Sequence, residues 1–244
     1  MAGAQREAEI DWVEGLAGPV PVSRRYGDPF YSLEDGLAET AHVFLLGNRL
    51  PERWEAGPAR FTIAELGFGT GLGFLAAWRL WRRIAPPGAV LDFVSFEIAP
   101  MARAAMARAL GPWPDLAAEA AELLGAWPLR SLPGQPGAIG HDFASARLTL
   151  LAGDARTRLP GWGGRAEAWF LDGFAPARNP EMWEPGLLAA VAAHTVPGGT
   201  VATYSAAGAV RRGLADAGFA VEKLPGFGRK REMCRGRLPE EDTP

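Results

Sequence analysis

The residue types most suited to chemistry stand in a glycine-rich segment, residues 65–73, which reads ELGFGTGLG. The segment follows a short β-like run, residues 61–64, and precedes a stretch rich in Ala, Leu and Trp that is typical of a helix. Glycines at alternate positions remove the Cβ atoms from one side of a turn, so the backbone can adopt positive φ angles and approach a ligand closely. A turn without a ligand needs only one glycine. The segment therefore predicts a cofactor-binding loop between a strand and a helix.

The spacing of these glycines selects the class of ligand. A dinucleotide-binding loop requires Gly-x-Gly-x-x-Gly, but the third position falls on Leu72 when counted from Gly67 and on Phe74 when counted from Gly69. The pattern present, acidic-x-Gly-x-Gly-x-Gly, resembles the first motif of S-adenosylmethionine (SAM) methyltransferases, so SAM is the cofactor that we expect. The resemblance implies that this segment contributes the cofactor-binding residues Glu65, Gly67, Phe68, Gly69, Thr70 and Gly71.

Carboxylates follow the next two predicted strands, at the sheet edge where open parallel sheets bind their ligands. Glu97 ends the second strand, and its acceptor oxygens suit the two hydroxyls of a ribose; the alternative is an exposed strand-end charge. Asp154 follows the third strand, where it is suited to hold the adenine amino group, or else to cap the short helix after it. We predict both residues to bind the cofactor.

The fourth predicted strand runs into the segment 170–176, which reads FLDGFAP. Methyltransferases of exocyclic amines often carry an acidic residue, a small residue and an aromatic residue at this point. An amine attacks the sulfonium methyl group only in its neutral form, because an ammonium has no free lone pair, so a neighbouring carboxylate can orient the amine and take its proton. Asp172 is predicted to have this catalytic role and also to bind the cofactor, and Phe174 is predicted to shape the substrate pocket. The alternative for Asp172 is a cap of the following loop.

The composition limits the class of protein. A chain of 244 residues is long enough for one α/β domain, and its hydrophobic content of 48% and charged content of 22% are those of an ordinary soluble protein. No apolar run approaches the roughly 20 residues of a membrane span, and the start lacks the apolar core of a signal peptide. With a single cysteine, Cys234, and three histidines at no metal-ligand spacing, we expect a cytoplasmic protein without a metal site.

Alternating β-like and helical stretches predict a parallel doubly wound sheet. The predicted strands are residues 61–66, 90–97, 148–151, 168–171, 199–204, 219–223 and 232–238, and the predicted helices are residues 71–84, 100–110, 115–124, 182–194 and 209–217. A parallel crossover needs about a dozen residues, so the short connection between the last two strands predicts an antiparallel hairpin. We therefore predict an α/β, Rossmann-like class I SAM methyltransferase fold with a mostly parallel, seven-stranded sheet and an antiparallel last strand. The predicted organisation is an N-terminal extension or lid (1–60), the methyltransferase domain (61–238) and a polar tail (239–244), with a Pro/Gly-rich insert (128–145) outside the core.

Segments spread over nearly the whole chain together resemble one family, the SAM-dependent tRNA (5-methylaminomethyl-2-thiouridine) methyltransferases, which stand alone (MnmD) or form the N-terminal half of a bifunctional protein (MnmC). The matching segments are residues 28–32 (DPFYS), 36–40 (GLAET), 43–45 (VFL), 65–74, 95–97 (SFE), 169–183 (WFLDGFAPARNPEMW) and 226–233 (GFGRKREM). The resemblance implies conversion of an aminomethyl group on a tRNA wobble uridine to methylaminomethyl. Two positions depart from the family pattern: Gly73 replaces an expected asparagine, and Ile98 replaces a common lysine.

The N-terminal extension contains a further cofactor-binding candidate, Tyr31. Together with Asp28, Phe30, Glu39 and Thr40 it lies in the family segments, and we expect these residues to fold over the cofactor as part of the active-site wall. The alternative is a structural lid that does not contact the cofactor directly.

Positive charge is concentrated near the C-terminus. The net charge is −3, yet residues 211–237 contain eight basic and three acidic residues. At the tip of the predicted hairpin, an aromatic side chain between glycines is suited to stack on an unpaired base, and its basic neighbours are suited to meet phosphates. The predicted RNA-binding residues are Phe227, Arg229, Lys230, Arg231 and Arg178; the alternative is a solvated hairpin tip.

The residue pattern is compatible with three functions. The first is a tRNA wobble-uridine N-methyltransferase, the second a small-molecule amine methyltransferase, and the third a non-catalytic RNA-binding module with the same fold. The chain length leaves no room for the flavin-dependent oxidase half of the bifunctional proteins. We therefore expect tRNA as the partner, no membrane partner, and a separate FAD-dependent oxidase or upstream aminomethyl-forming enzymes that prepare the amine.

Overall fold

The structure, a computed structural model, describes residues 7–240, and its N-terminal part forms a small antiparallel sheet. The strands of this sheet are β1 (Ile10–Glu14), β2 (Pro19–Ser23) and β3 (Asp28–Pro29). Helix α1 (Gly36–Thr40), a π-helical segment (Ala41–Leu46) and helix α2 (Leu50–Glu55) follow. The predictions for the first six residues and for residues 241–244 of the tail fall outside the described range.

A nine-stranded sheet forms the centre of the molecule. Its strands are β4 (Arg60–Leu66), β5 (Val90–Glu97), β6 (Arg130–Ser131), β7 (Ala138–Asp142), β8 (Ala146–Ala152), β9 (Ala166–Leu171), β10 (Thr195–Thr203), β11 (Ala220–Pro225) and β12 (Glu232–Arg237). They lie in the order β11-β12-β10-β9-β4-β5-β8-β7-β6. The five strands from β10 to β8 in this order are parallel, whereas β12 runs antiparallel to β10 and forms a hairpin with β11. The predicted α/β fold and the antiparallel last strand are confirmed.

The predicted strand number is corrected from seven to nine, because the Pro/Gly-rich insert joins the sheet. Strand β7 pairs antiparallel with β8, and β6 pairs antiparallel with β7. The edge of β8 would otherwise present a row of unpaired backbone groups, which the insert satisfies. Frequent prolines and glycines weaken the local signal for a strand, so the pairing follows from the free edge and not from the insert's own propensity.

Helices cover both faces of the large sheet. They are α3 (Leu72–Ile84), α4 (Arg103–Leu110), α5 (Ala117–Ala126), α6 (Ala155–Arg158), α7 (Pro185–Ala193) and α8 (Gly208–Asp216). One buried apolar cluster contains residues of α3, α4 and α5, and a second contains residues of α6, α7 and α8. Neighbouring strand residues alternate between the two clusters, as Ile63 and Ala64 do, which is the period of a strand buried on both sides. Within residues 7–240, no helix is both long and apolar enough to cross a membrane.

The N-terminal extension is anchored in the main core by aromatic side chains. Trp54 meets the ring of Trp81 edge-on, with ring centroids 5.0 Å apart, and Phe44 stacks on Phe170 at 5.0 Å. Asn48 donates hydrogen bonds to the backbone carbonyls of Phe44 and, at 3.2 Å, of Trp169 in β9. These contacts fix the extension against α3 and β9.

Candidate active site

A cleft of about 910 Å³ opens at the carboxyl ends of the parallel strands. Its walls come from the glycine loop after β4, the ends of β5, β8 and β9, the N-terminal extension, and the tip of the β11–β12 hairpin. The neighbours of β4 are β5 on one side and β9 on the other, so the cleft lies where the strand order reverses. A volume of this size is at the upper end of the range for small-molecule sites.

The glycine loop takes a backbone path that side chains would obstruct. Gly67, Gly69 and Gly71 have φ angles of 94°, 53° and 80°, all in the left-handed region. A Cβ atom on Gly67 would lie 2.9 Å from the carbonyl oxygen of Asp172. The Gly69 N–H donates a hydrogen bond to Glu97 Oε2 at 3.0 Å, which ties the loop to the end of β5. The loop is a cradle without side chains on one face, and this shape fits a cofactor such as SAM.

Three further predicted cofactor residues lie in this loop or against it. Glu97 is buried and lines the cleft, and its Oε1 accepts a hydrogen bond from the Ala99 N–H at 2.7 Å. Burial raises the pKa of Glu97, and the backbone N–H groups that it accepts from act in the opposite direction. Phe68 lines the cleft and stacks on Trp127 at 5.7 Å, and the buried Thr70 also lines it. The proposed ribose contact of Glu97 stays a prediction.

Glu65 is buried beneath the loop. Its Oε2 accepts a hydrogen bond from Ser95 Oγ at 2.8 Å. Burial and then the charge of Asp172 raise the pKa of Glu65 well above its ordinary value. A Cβ atom at position 73 would collide with Glu65 Oε1, so Gly73 permits this carboxyl group to pack against the start of α3. An asparagine at position 73 would require the Glu65 side chain to shift from this position.

Two predicted cofactor residues use their polar atoms within the protein. Asp154 caps α6, because its side chain accepts a hydrogen bond from the Arg156 N–H and forms an ion pair with the Arg156 guanidinium at 2.6 Å. The hydrogen bond from that guanidinium lowers the pKa of Asp154. The Tyr31 hydroxyl lies 3.0 Å and 2.9 Å from the carbonyl oxygens of Pro19 and Ala109. Both residues line the cleft, but these contacts favour the structural alternative for their polar groups.

Asp172 follows β9 directly and lines the cleft next to the glycine loop. Its surroundings raise the pKa of the carboxyl group to about 7: burial is the largest cause, the charge of Glu39 adds to it, and Lys230 opposes it. The loop after Asp172 is fixed by three hydrogen bonds from separate segments: Tyr204 Oη donates to Gly173 O at 2.8 Å, Ala175 N–H donates to Asp28 Oδ2 at 2.9 Å, and Trp183 Nε1–H donates to Phe174 O at 3.0 Å. The backbone of the loop beside the carboxyl group is therefore held in place by the fold.

Phe174 belongs to an aromatic wall beside Asp172. Its ring lies 4.9 Å from Tyr26 and 5.2 Å from Phe30, the latter contact being edge-to-face. All three side chains line the cleft, and Phe30 also packs near Gly69 of the glycine loop. An aromatic surface of this kind suits the packing of a planar substrate.

The predicted RNA-binding residues do not share one environment. Phe227 lines the cleft, its ring 6.1 Å from that of His42, and Arg229 is 96% exposed, with Nε 3.2 Å from Glu34 Oε1. Arg231 is exposed at the same hairpin tip. Arg178 contacts the N-terminal extension, where its Nε is 3.6 Å from Asp28 Oδ1.

Lys230 points into the cleft. Its Nζ lies 2.7 Å from Glu39 Oε1 and 3.9 Å from the centroid of the Tyr204 ring. Sequence reasoning assigned Lys230 to phosphates and did not identify Tyr204 at all. The signal for Tyr204 was its place at the end of the fifth predicted strand, the same edge that carries the other site residues. In the described range 7–240, no group of three or more His, Cys, Asp or Glu side chains is arranged to hold a metal ion.

Known proteins resemble the chain in sequence and in fold. A family model described as S-adenosyl-L-methionine-dependent methyltransferase matches residues 114–239. The tRNA 5-methylaminomethyl-2-thiouridine biosynthesis bifunctional protein MnmC of Pseudomonas paraeruginosa is 50% identical over 236 residues, which cover 95% of this chain and 35% of the relative. The MnmC of Methylobacillus flagellatus is 46% identical over 241 residues, which cover 98% of this chain and 36% of the relative.

The chain thus spans about a third of the length of these curated relatives. Among solved structures, MNMC2 from Aquifex aeolicus superposes with a TM-score of 0.77 at 24% identity, covering 98% of this chain and 73% of that one, and this likeness shows the fold. The family model covers more than half of the chain. The chain belongs to the S-adenosyl-L-methionine-dependent methyltransferase family.

Proposed function

We propose that the protein transfers the methyl group of SAM to the amine of 5-aminomethyluridine, or its 2-thio form, at the wobble position of tRNA. The product is the 5-methylaminomethyl nucleoside that appears in the names of the MnmC relatives. The observation that carries the proposal is the position of Asp172, which lines the cleft and whose backbone adjoins the glycine cradle. An amine methyltransferase needs a proton acceptor at this point.

The chain's own residues orient the amine and accept its proton. SAM, when bound, supplies a methyl group on a positively charged sulfur. The ionised Asp172 carboxylate accepts a hydrogen bond from the substrate amine, directs its lone pair, and takes the proton that the methylated nitrogen releases. A pKa of about 7 matches proton transfer near neutral pH. Phe174 and Phe30 hold the base against one wall and exclude water, so that positioning supplies much of the acceleration.

The rim of the cleft supports a nucleic-acid substrate. The ion pair between Arg229 and Glu34 is exposed, and exposed pairs are weak, so a phosphate can replace the carboxylate. Phe227 lies at the same rim, where an unpaired base can stack on it. Arg231 and Arg178 are proposed to extend this positively charged surface. The reaction takes place in the cytoplasm, and a separate FAD-dependent oxidase or an upstream aminomethyl-forming enzyme supplies the amine.

The test is transfer of a labelled methyl group from SAM to three acceptors: tRNA with the aminomethyl wobble base, the same tRNA without it, and free amines. We expect label only on the first, in a nucleoside that chromatographs as methylaminomethyluridine. Equal labelling of the unmodified tRNA would reject wobble specificity. Preferential labelling of free amines would instead support the small-molecule methyltransferase.

A further inference from the structure

The chain contains two lysines, and both lie in the C-terminal hairpin next to a glutamate. Lys223 pairs with Glu232 at 2.5 Å, and Lys230 pairs with Glu39 at 2.7 Å. Both lysine side chains are 43% exposed, but Glu232 is 46% exposed whereas Glu39 is only 10% exposed. An exposed pair contributes little to stability, while a buried carboxylate requires a partner. The pair in the cleft therefore differs from an ordinary surface ion pair.

A second contact links Lys230 to the loop that carries Asp172. The ammonium lies over the face of Tyr204, 3.9 Å from the ring centroid, which is a favourable cation–π geometry. The hydroxyl of the same ring donates its hydrogen bond to the carbonyl of Gly173, the residue after Asp172. One chain of contacts thus runs from Glu39 through Lys230 and Tyr204 to the backbone beside the carboxyl group.

Most titratable groups that face Asp172 are acidic. Glu39 comes from α1 and Glu65 from β4, while Asp28 of β3 acts on Tyr204, which follows β10. Glu39 raises the pKa of Asp172 and Lys230 lowers it. Without the ammonium, a carboxyl group in such surroundings retains its proton to a higher pH and cannot accept one from an amine.

We propose that Lys230 and Glu39 form a positioning pair for Asp172: Lys230 keeps the Asp172 carboxylate ionised and steadies its loop through Tyr204, while Glu39 fixes the ammonium in the cleft. The inference rests on the proposed amine methylation at Asp172. It gives Lys230 a role inside the cleft that differs from the predicted contact with RNA phosphates. Neither member of the pair takes up or releases a proton during the transfer.

The direct test is the titration of Asp172 by NMR in protein labelled with ¹³C at the aspartate carboxyl carbons, with Asp172→Asn used to assign the resonance. In Lys230→Met the midpoint should move upward by about 1 pH unit, and in Glu39→Gln it should move downward. Lys230→Arg should restore the midpoint, because it returns the positive charge. Lys223→Met is the matched control, since it removes the other lysine of the hairpin, and it should leave the midpoint unchanged.

The kinetic test separates positioning from phosphate binding. In Lys230→Met, kcat at pH 7 should fall about fivefold, because a midpoint raised from about 7 to about 8 leaves roughly a tenth of Asp172 ionised in place of half. This loss should disappear at pH 9, with KM for tRNA little changed. A raised KM for tRNA with a weaker salt dependence and an unshifted pH profile would mean that Lys230 binds phosphate. An unshifted NMR midpoint in both Lys230→Met and Glu39→Gln overturns the pair, whereas an inactive wild type rejects only the proposed function.

Discussion

The two sides of the cleft are built in different ways. On the proposed cofactor side, the backbone of consecutive residues after β4 forms the wall of the cleft, and Gly69 is tied to Glu97 at the end of the neighbouring strand. On the proposed substrate side, side chains from four remote segments surround Asp172 and the loop after it: Asp28, Glu39, Tyr204 and Lys230. A surface made by the backbone of consecutive residues can be recognised in the sequence as a motif. A surface made by side chains from remote segments forms only when the chain folds.

The substitution Asp172→Asn should separate the two sides most clearly. It keeps the shape of the side chain but removes the proton acceptor, so kcat should fall by about 10²- to 10⁴-fold. The affinity for SAM should stay within about twofold of the wild type, because the glycine cradle contacts Asp172 only through its backbone. Single-turnover methyl transfer and calorimetric titration with SAM measure the two effects. Unchanged turnover would show that Asp172 neither orients the amine nor accepts its proton.

The same substitution should make the protein more stable at alkaline pH. The pKa of Asp172 is about 7 in the folded protein and 3.8 ordinarily, so the folded state binds the proton more tightly. Binding of this proton stabilises the folded protein fully below about pH 4, and the stabilisation is lost as the pH rises to about 7. The Asp172→Asn variant has no such loss. Its free energy of unfolding should therefore exceed that of the wild type by up to roughly 4 kcal/mol above pH 7. Urea unfolding at pH 5 and pH 8 tests this, since a constant difference would contradict the raised pKa.

The sheet was predictable because its strands are apolar runs with fixed connection lengths. The short link at residues 225–231 alone required a hairpin, and β12 is antiparallel to both of its neighbours. The two extra strands of the insert were not predictable, because their pairing depends on the open edge of β8. For the same reason, the expectation that ligands bind at the carboxyl ends of the strands located Asp172 but not its partners. Lys230 lies 191 residues from Glu39 along the chain, and only the packing of the hairpin on the extension brings them together.

Substitution of two glycines should show where the two sides meet. At Gly69 an added Cβ meets only the movable ring of Phe30, so Gly69→Ala should weaken SAM binding about tenfold through backbone strain, roughly 1–2 kcal/mol. At Gly67 the added Cβ meets the backbone of Asp172, so Gly67→Ala should reduce both SAM affinity and kcat. Fluorescence titration and saturation kinetics of the two variants give the measurements. If Gly67→Ala affects only SAM affinity, the cradle and the catalytic loop are independent.

The smallest expected effect concerns the hydroxyl of Tyr204. Tyr204→Phe retains the ring under Lys230 but removes the hydrogen bond to Gly173 O, a loss of about 1 kcal/mol. Since that bond fixes the loop of Asp172, kcat should fall about fivefold at constant SAM affinity. Tyr31→Phe is the matched control, because it also removes a hydroxyl group that lies against backbone carbonyls. This variant should lose thermal stability and not kcat. Equal losses of kcat in both variants would mean that Tyr204 acts through general stability, and that the substrate side does not depend on this contact.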